Sequence, residues 1–472
     1  MAKKRGMLES MANGTSQFMY KFLPDAYLFA VILTIVVFIF ATIVHGSVIN
    51  VVKFWGTGVW GLLAFSMQMV LVLVTGHTLA LAAPFRKLLD ALSNIPKTPV
   101  QGIALVSIVA YVACILNWGF GLVIGAILAK EVARKIKNID YALLIAAAYS
   151  GFVLWHAGFS GSVPLTLANG DYVVGGVTLA RQIPTGYTIF APYNIFIVLV
   201  TLVVLPIVNC LMHPKAENLD PSHIVDPAAL AEEPPVTVTK DMWKTMTPAE
   251  KLENSVVLNV IVAVLGFTYI VYYFGFTKNP DLNLNIVNLI FLMLGILLHG
   301  TPRRLLNAVG EAAKGAAGII LQFPFYAGIM GMMVGTNAAG VSLAGVISRF
   351  FVSISNERTY PFFTFLSAGV VNFFVPSGGG QWAVQGPIMM PAATDLLDKL
   401  YGSGVTEEMV RVYHAKTGMA IAYGDSWTNM IQPFWALPAL GIAKLGARDI
   451  MGYTLIVLLF SGIIISAGLL LF

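Results

Sequence analysis

Long apolar segments alternate with short polar breaks along almost the whole chain. The first segment, residues 26–46, already has the length of about 20 residues that a helix needs to cross a bilayer. Further apolar segments follow near residues 58–83, 99–116, 122–136, 141–159, 190–212, 255–276, 283–300, 316–334, 360–375, 383–394, 409–423, 430–445 and 449–472. Several of them are too short to cross a bilayer alone. The pattern predicts an all-α polytopic membrane protein with interrupted helices.

Two pairs of short apolar segments are separated by only a few residues each. Residues 117–121 (NWGFG) interrupt the first pair, and residues 376–382 (PSGGGQW) interrupt the second. Each glycine destabilises a helix by roughly 1 kcal/mol relative to alanine. Non-helical backbone is tolerated at membrane depth only where protein or a water-filled cavity satisfies its polar groups. We therefore expect two re-entrant hairpins, 99–136 and 360–394.

One hydrophilic segment, residues 213–254, divides the chain into two similar parts. It holds six prolines, eight acidic residues and four lysines, which is typical of a solvated linker. Residues 1–212 then form a first repeat, and residues 255–472 form a connector helix and a second repeat. The six-residue spacing of Gly119 and Gly125 recurs at Gly380 and Gly386. We also expect broken transmembrane helices at 141–164 and 409–445, as internal repeats of transporters often contain.

Positive charges predict how the chain is oriented, because cytoplasmic loops carry an excess of lysine and arginine. Such clusters are Lys3, Lys4 and Arg5; Arg86, Lys87 and Lys97; and Lys130, Arg134, Lys135 and Lys137. The N-terminus and the linker are therefore expected in the cytoplasm. The first hairpin enters from the cytoplasmic side and the second from outside, which makes the repeat an inverted one.

The composition excludes several classes of protein. The chain is 57% hydrophobic and 11% charged, whereas soluble domains average about 25% charged residues. The net charge of +5 comes from residues that flank the apolar segments, and no basic run interleaved with aromatics indicates nucleic-acid binding. The two cysteines form no metal-binding motif. No HExxH, GxSxG or Walker A motif is present, so an enzyme is not expected.

Four unwound stretches should converge at the membrane midplane: 117–121, 150–164, 376–382 and 424–433. Their half-helix N-termini suit an anion and their freed carbonyls suit a cation. Small residues there could instead only allow close helix packing. The substrate-binding candidates are Asn117, Gly119, Ser160, Ser162, Ser377, Gly378, Gly379, Gly380, Gln381, Trp382, Ser426, Trp427, Thr428 and Asn429.

Asp425 and His156 are the candidates for binding a coupling ion. An ionisable side chain at membrane depth is costly and usually functional. The alternatives are a helix N-cap for Asp425 and a hydrogen bond across helices for His156. No arginine or lysine lies in the four stretches, although a dicarboxylate or phosphate site usually recruits one. The aromatic residues beside the breaks suit one carboxylate with a short hydrocarbon tail.

Three strings carry a family resemblance: LNWGFGLVIGA (116–126), NFFVPSGGGQWAVQGP (372–387) and GDSWTNMIQPFWALP (424–438). They resemble those of the bacterial short-chain fatty acid transporter family (AtoE type), part of a larger ion-transporter superfamily. The resemblance implies uptake of short monocarboxylates such as butyrate or acetoacetate across the cytoplasmic (inner) membrane. Superfamily relatives imply an inverted repeat, opposed re-entrant hairpins, an elevator-like movement and often a homodimer.

This chain departs from the sodium-coupled dicarboxylate relatives, whose hairpin tips read Ser-Asn-Thr. Its tips read Asn-Trp-Gly and Ser-Gly-Gly, which puts dicarboxylate recognition and the Na⁺ sites in doubt. We expect a secondary active transporter with no bound cofactor, co-transporting H⁺ or, at the hairpin tips, Na⁺. The alternatives are a cation/proton antiporter centred on Asp425 and His156, and a membrane receptor or assembly factor that uses the linker as a docking surface.

Overall fold

The computed structural model describes residues 6–22, 26–174, 177–227, 230, 240–277, 280 and 284–472. The predicted N-terminal charges Lys3, Lys4 and Arg5 lie outside these residues. The helices before the linker are α1 (Met7–Phe22), α2 (Ala26–His45), α3 (Val48–Gly58), α4 (Leu63–Leu81), α5 (Ala83–Ser93), α6 (Pro99–Leu116), α7 (Trp118–Lys135), α8 (Tyr141–Ser150), α9 (Ser162–Asn169) and α10 (Pro192–Met212).

The helices of the linker and the second half are α11 (Lys240–Thr245), α12 (Pro248–Glu253), α13 (Val256–Phe276), α14 (Leu284–His299), α15 (Pro302–Ala313), α16 (Ala317–Val334), α17 (Leu343–Ser353), α18 (Tyr360–Asn372), α19 (Gly378–Tyr401), α20 (Glu407–Thr428), α21 (Leu437–Ala443) and α22 (Ala447–Leu471). Two short strands, β1 (Tyr172–Val174) and β2 (Val177–Ala180), pair in antiparallel fashion. The helical membrane fold is thus confirmed, and this small β-hairpin is the exception that the prediction missed.

Seven helical segments of the described chain are long and apolar enough to cross a membrane. They differ greatly in burial. In the candidate span Tyr141–Ala168, 94% of the residues in an apolar 18-residue window are buried, whereas in α13 only 11% are. An apolar helix exposed on nearly all sides is stable only against lipid. The first broken helix therefore lies at the centre of the protein, and α13 lies at its periphery.

The first predicted hairpin is a pair of antiparallel helices, α6 and α7. A Cβ added to Gly121 would lie 2.3 Å from Cys114 Sγ, and one added to Gly125 would lie 3.1 Å from the Ala110 Cβ. Asn117 is the only residue between the helices, and its Oδ1 accepts the Phe120 N–H (3.0 Å) as an N-cap. Glycine on α7 is needed because the two backbones approach so closely.

The second predicted hairpin, α18 and α19, is also antiparallel. The Tyr360 hydroxyl donates to Met389 O (2.6 Å) near the open end. Ser377 is the N-cap of α19, and its Oγ accepts the Gly380 N–H (3.2 Å). The glycines that we expected to be unwound form the first helical turn instead. They are tolerated there because the first N–H groups of a helix have no intrahelical acceptor in any case.

Each hairpin is followed by a helix with a break. In the first half, α8 continues as a 3-10 helix, Gly151–Ala157, before α9 begins. In the second half, α20 ends in a 3-10 turn, Asn429–Ile431, before α21 begins. The order of elements from α2 to α10 thus recurs from α14 to α22. The opposite orientation of the two halves in the membrane stays a prediction.

The first part of the predicted linker is folded rather than merely solvated. The Asn218 side-chain N–H donates to Glu9 Oε1 (2.7 Å) of α1. His223 Nδ1 lies 2.9 Å from Asp140 Oδ2, at the start of the first broken helix. Residues 231–239 lie outside the described part of the chain.

Candidate functional site

The two predicted ionisable residues meet at the centre of the molecule. His156 lies on the 3-10 helix of the first half, and Asp425 lies in the last turn of α20 in the second half. His156 Nε2 is 3.2 Å from Asp425 Oδ2, and neither residue is exposed to solvent. We call these two residues the central pair. A charge in such a position requires a nearby partner, because burial removes its hydration.

The second hairpin covers the central pair. A Cβ added to Gly378, the first residue of α19, would lie 2.5 Å from His156 Nε2 and 2.9 Å from Trp155 Cη2. Real Cβ atoms do not approach other heavy atoms so closely, so only glycine fits at this position. Gly379, the next residue, is exposed and has no heavy atom within 4 Å of an added Cβ. The N-terminus of α19 therefore lies between the pair and open space.

A network of buried amides leads to the carboxylate of the central pair through Asn429. Asn372 Nδ2 lies 2.8 Å from Asp425 O, 3.0 Å from Thr428 Oγ1 and 2.8 Å from Asn429 Oδ1. An amide nitrogen has only two hydrogens, so these three oxygens exceed what it can satisfy. Asn429 Nδ2 in turn reaches Asp425 Oδ2 (3.4 Å), and Gln432 Nε2 donates to Asn429 Oδ1 (2.9 Å). The network is uncharged apart from the pair.

Two buried tyrosines connect the broken helices. The Tyr149 hydroxyl, next to the first break, donates to Asn429 O (2.7 Å) at the second break. The Tyr423 hydroxyl donates to Asn194 Oδ1, and Asn194 Nδ2 donates to Ala157 O (3.2 Å) at the end of the first break. The sequence analysis missed these residues. The only signal was a tyrosine one turn or less before each glycine-containing break.

The tip of the first hairpin is bonded to the first broken helix. The Trp118 backbone N–H donates to Ser160 Oγ (3.0 Å), and the Phe159 N–H donates to Ile115 O (2.8 Å). The indole of Trp118 packs edge-on against the rings of Phe152, Trp155 and Trp435. Ser160 thus holds this hairpin in place, and its predicted contact with substrate stays a prediction.

The two predicted aromatic contacts of the substrate tail are far from equivalent. Trp382 is buried against Tyr172, with ring centroids 4.6 Å apart. Trp427 packs against Phe365, and its indole N–H donates to Leu458 O (2.7 Å) on α22. Trp427 therefore joins α20 to α18 and α22. Its contribution to substrate binding stays a prediction.

Three more predicted side chains bond to backbone carbonyls of their own half. These bonds are Ser426 Oγ to Tyr423 O (3.2 Å), Thr428 Oγ1 to Gly369 O (2.9 Å) and Gln381 Nε2 to Ala368 O (2.7 Å). Ser162 begins α9, Gly119 lies buried in the first turn of α7, and Gly380 packs near Met330. The contribution of each to substrate binding stays a prediction.

No group of three or more His, Cys, Asp or Glu side chains with the geometry of a metal site occurs in the described part of the chain. The side chains that converge on the central pair are amides, hydroxyls and aromatic rings. Such a site can hold one proton between two ionisable groups, and it can present helix N–H groups to an anion. It offers no fixed positive charge for a second carboxylate.

Comparison with known proteins agrees with this chemistry. A family model described as "Short chain fatty acid transporter" matches residues 7–472. A relative from Escherichia coli K12 is 46% identical over 99% of this chain and 100% of its own length. A relative from Haemophilus influenzae is 44% identical over 98% and 99%. Both are provisionally named short-chain fatty acid transporters.

One solved structure, the YdaH transporter of Alcanivorax borkumensis, matches 95% of this chain and 97% of its own. Its TM-score of 0.40 and 15% identity are too low to bear on the site. The relatives' names describe transporters and not enzymes, as the sequence predicts. On the strength of the full-length match, the chain belongs to the short-chain fatty acid transporter family.

Proposed function

We propose that the protein is a secondary active transporter that carries short-chain monocarboxylates, such as butyrate or acetoacetate, together with a proton. The observation that supports this proposal best is the buried central pair, joined across the two halves and covered by the N-terminus of α19. The family supports the substrate class. The residues around the pair support a ligand with a single negative charge.

The N-terminus of α19 is the proposed carboxylate site. The N–H groups of Gly378 and Gly379 belong to the first helical turn, where no intrahelical acceptor exists. The positive end of the helix dipole points the same way. An added Cβ at Gly379 would meet open space, so a carboxylate can approach the backbone there without meeting a Cβ. In this arrangement the anion binds within a few ångströms of the central pair.

Proton uptake by the central pair would couple directly to substrate binding. With His156 neutral, Asp425 carries one buried negative charge, which repels a carboxylate at the adjacent α19 N-terminus. A proton taken up by the pair removes that net charge and therefore favours the anion. The loaded site then carries one net negative charge instead of two, which lowers the penalty for crossing the membrane interior. A site that holds the anion without the proton would carry two negative charges and cross least easily.

The remaining parts of the mechanism rest on the family resemblance and the charge pattern. We propose that α6–α7 and α18–α19 are re-entrant hairpins of an inverted repeat in the bacterial inner membrane, with the N-terminus in the cytoplasm. The hairpins and the broken helices would move together in an elevator-like step. A homodimer would supply the static part against which they move.

The first test is uptake of radiolabelled butyrate and acetoacetate into proteoliposomes, with proton and sodium gradients imposed separately. We expect accumulation under the proton gradient alone. Asp425→Asn should lower the accumulation at least 100-fold, and Asn429→Ala should abolish uptake while membrane insertion is retained. An exposed carboxylate on α19 provides the matched control, Asp398→Asn, which should behave like the wild type. Accumulation under sodium alone would overturn the proposed coupling.

The antiporter alternative uses the same pair without an organic substrate. It predicts proton release driven by Na⁺ or Li⁺ in the absence of any carboxylate. If folded wild-type protein accumulates neither acid under either gradient, this second assay decides between the two functions. The receptor alternative instead predicts that deleting residues 231–239 destroys function, whereas a transporter should tolerate that deletion.

A further inference from the structure

A surface cleft lies at the opposite end of α20 from the helix break. The first turns of α20 and the segment after β2 enclose a cleft of about 210 Å³. An engineered protein cavity of about 150 Å³ accommodates benzene, so a four-carbon acid fits in this volume. His414 lines the cleft, and Asp425 follows it by eleven residues on the same helix. Eleven helical residues rise by about 16 Å, which is half of the thickness of a hydrocarbon core of about 30 Å. With Asp425 at the membrane midplane, the cleft therefore lies at the membrane surface.

Two arginines line this cleft. Arg181 Nη2 lies 3.9 Å from Glu407 Oε1, and Arg411 Nη1 lies 3.4 Å from Glu408 Oε2. Arg181 and Glu407 are each about three quarters exposed, and exposed ion pairs of this length contribute little. Arg411 Nε is buried and has no hydrogen-bond partner among the described residues. Both guanidinium groups therefore keep donors that a carboxylate can accept from.

Part of the remaining wall of the cleft is apolar, and Thr406, Glu407 and His414 form the rest. Ile183, Val405 and Val410 line the apolar part beside the arginines, and Ile183 is almost fully buried. A phosphate or a dicarboxylate would bring a second charged group against these side chains, where burial disfavours it. A single carboxylate with a short hydrocarbon tail places its charge on the arginines and its tail on the valines. The chemistry of the cleft thus matches that of the proposed substrate.

We propose that this cleft is a capture site, which binds the monocarboxylate anion at the membrane surface before the anion enters the central site. The proposal rests on the proposed function, because it takes the ligand of the cleft to be the transported acid. It assigns the fixed positive charge to the entrance, while the central site uses helix N–H groups and a proton. His414 Nε2 lies 2.9 Å from Thr394 Oγ1, so the cleft also contacts the second hairpin.

The decisive experiment measures butyrate binding without transport. Radiolabelled butyrate is titrated into the full-length Asn429→Ala protein in lipid nanodiscs, where the central site is disabled and the cleft is intact. We expect binding to persist, and Arg411→Gln in this background to weaken it about tenfold, as loss of a charge-assisted hydrogen bond would. Arg181→Gln should act in the same direction. Its side chain is largely exposed, so this variant is informative even if Arg411→Gln does not fold.

Two controls separate a specific cleft from general surface charge. Lys399→Gln removes an exposed positive charge from α19 outside the cleft and should leave the affinity unchanged. Glu407→Gln removes the carboxylate that competes for Arg181 and should tighten binding about twofold to threefold. Butyramide, which has the same size but no charge, should not compete. Equal affinities for the arginine variants, Lys399→Gln and the parent would overturn the proposal.

The outcome also distinguishes failure of the cleft from failure of the proposed function. If proteoliposomes accumulate butyrate and the arginine variants bind it normally, only the capture site is wrong. If proteoliposomes accumulate no butyrate but the cleft binds it in an arginine-dependent way, the proposed function is wrong and the anion site stands. If the cleft works as proposed, Arg411→Gln also raises the KM of uptake while the maximal rate is unchanged.

Discussion

The two hairpin tips occupy matching places in the two halves, yet their contacts are unequal. The first tip, residues 115–119, is hydrogen-bonded to the first broken helix through Trp118 and Ile115. The second tip, residues 373–379, makes its described hydrogen bonds within its own hairpin. Its described contacts with the opposite half are packing contacts, where Gly378 lies on His156 and Phe373 packs against Phe29 of α2.

This difference indicates which tip can move. Separating the first tip from its broken helix breaks two hydrogen bonds, of which the bond of the Trp118 N–H to Ser160 is buried. A buried group left unsatisfied costs about 1–3 kcal/mol. Lifting the second tip exposes the central pair but breaks no described hydrogen bond with the other half. We therefore expect residues 373–379 to act as the gate over the pair, while Asn372 keeps α18 on the second broken helix and the first tip stays bonded to its own broken helix.

The largest expected effect comes from filling the space under the second tip. In Gly378→Val, the added side chain must displace the His156 ring or the tip itself, because both sides of the contact are closely packed. Uptake of radiolabelled butyrate in proteoliposomes should fall at least 100-fold. Protein yield and thermal stability should change much less, since a lifted tip leaves the rest of the hairpin intact.

Gly379→Ala is the matched control for that variant, because an added Cβ there meets open space. The backbone N–H is retained, so we expect less than a tenfold loss of uptake. Equal losses at the two neighbouring glycines would mean that helix propensity, rather than contact with His156, explains both results.

A smaller effect is expected at the first tip. Ser160→Ala removes the acceptor of the buried Trp118 N–H, which lowers stability by about 1–3 kcal/mol. We expect a lower melting temperature and a loss of uptake of about tenfold. Ser162→Ala, two residues further on, should have a smaller effect on stability, because Ser162 only begins α9. A Ser160 variant as stable as the wild type would show that the first tip is not held as described.

The sequence predicted the fold class, the family and the paired helices well, because each depends on a local pattern. Apolar length predicts spans, and runs of glycine between short spans predict hairpins. The sequence could not reveal that Gly378 begins a helix, since an N-cap serine and three glycines are compatible with both a helix start and an unwound turn. It also missed β1 and β2, which are too short to give a periodic signal.

The site was predicted in part for the same reason. Asp425 and His156 stand out as ionisable residues in apolar segments, but their contact joins residues 269 positions apart, and no local pattern encodes it. Trp427 was predicted as a contact of the substrate tail because it is an aromatic residue beside a break. On a helix, however, residues two positions apart face different directions. Its indole therefore packs against α18 and α22 instead.

The first broken helix is also hydrogen-bonded at its other end, where α8 begins. Asp140 is the N-cap of α8, and its Oδ1 accepts the Leu143 N–H (2.9 Å). Its Oδ2 accepts the Tyr453 hydroxyl (2.8 Å) and lies 2.9 Å from His223 Nδ1 of the linker. The second broken helix begins instead at Thr406, beside the open cleft. Losing the linker contact should therefore act mainly on the first broken helix.

The smallest effect expected is a pH-dependent one at this linker contact. The hydrogen bond to Asp140 is the main cause that raises the pKa of His223 above its ordinary value of 6.5, although burial opposes it. Because the folded-state pKa is the higher one, the stabilisation is complete below pH 6.5 and is lost as the pH rises through that raised value. His223→Gln should therefore lower the melting temperature by a few degrees at pH 6 and by progressively less toward pH 9. A difference that stays constant over this range would mean that His223 acts through packing alone, and that the first half is held at its tip rather than at both ends.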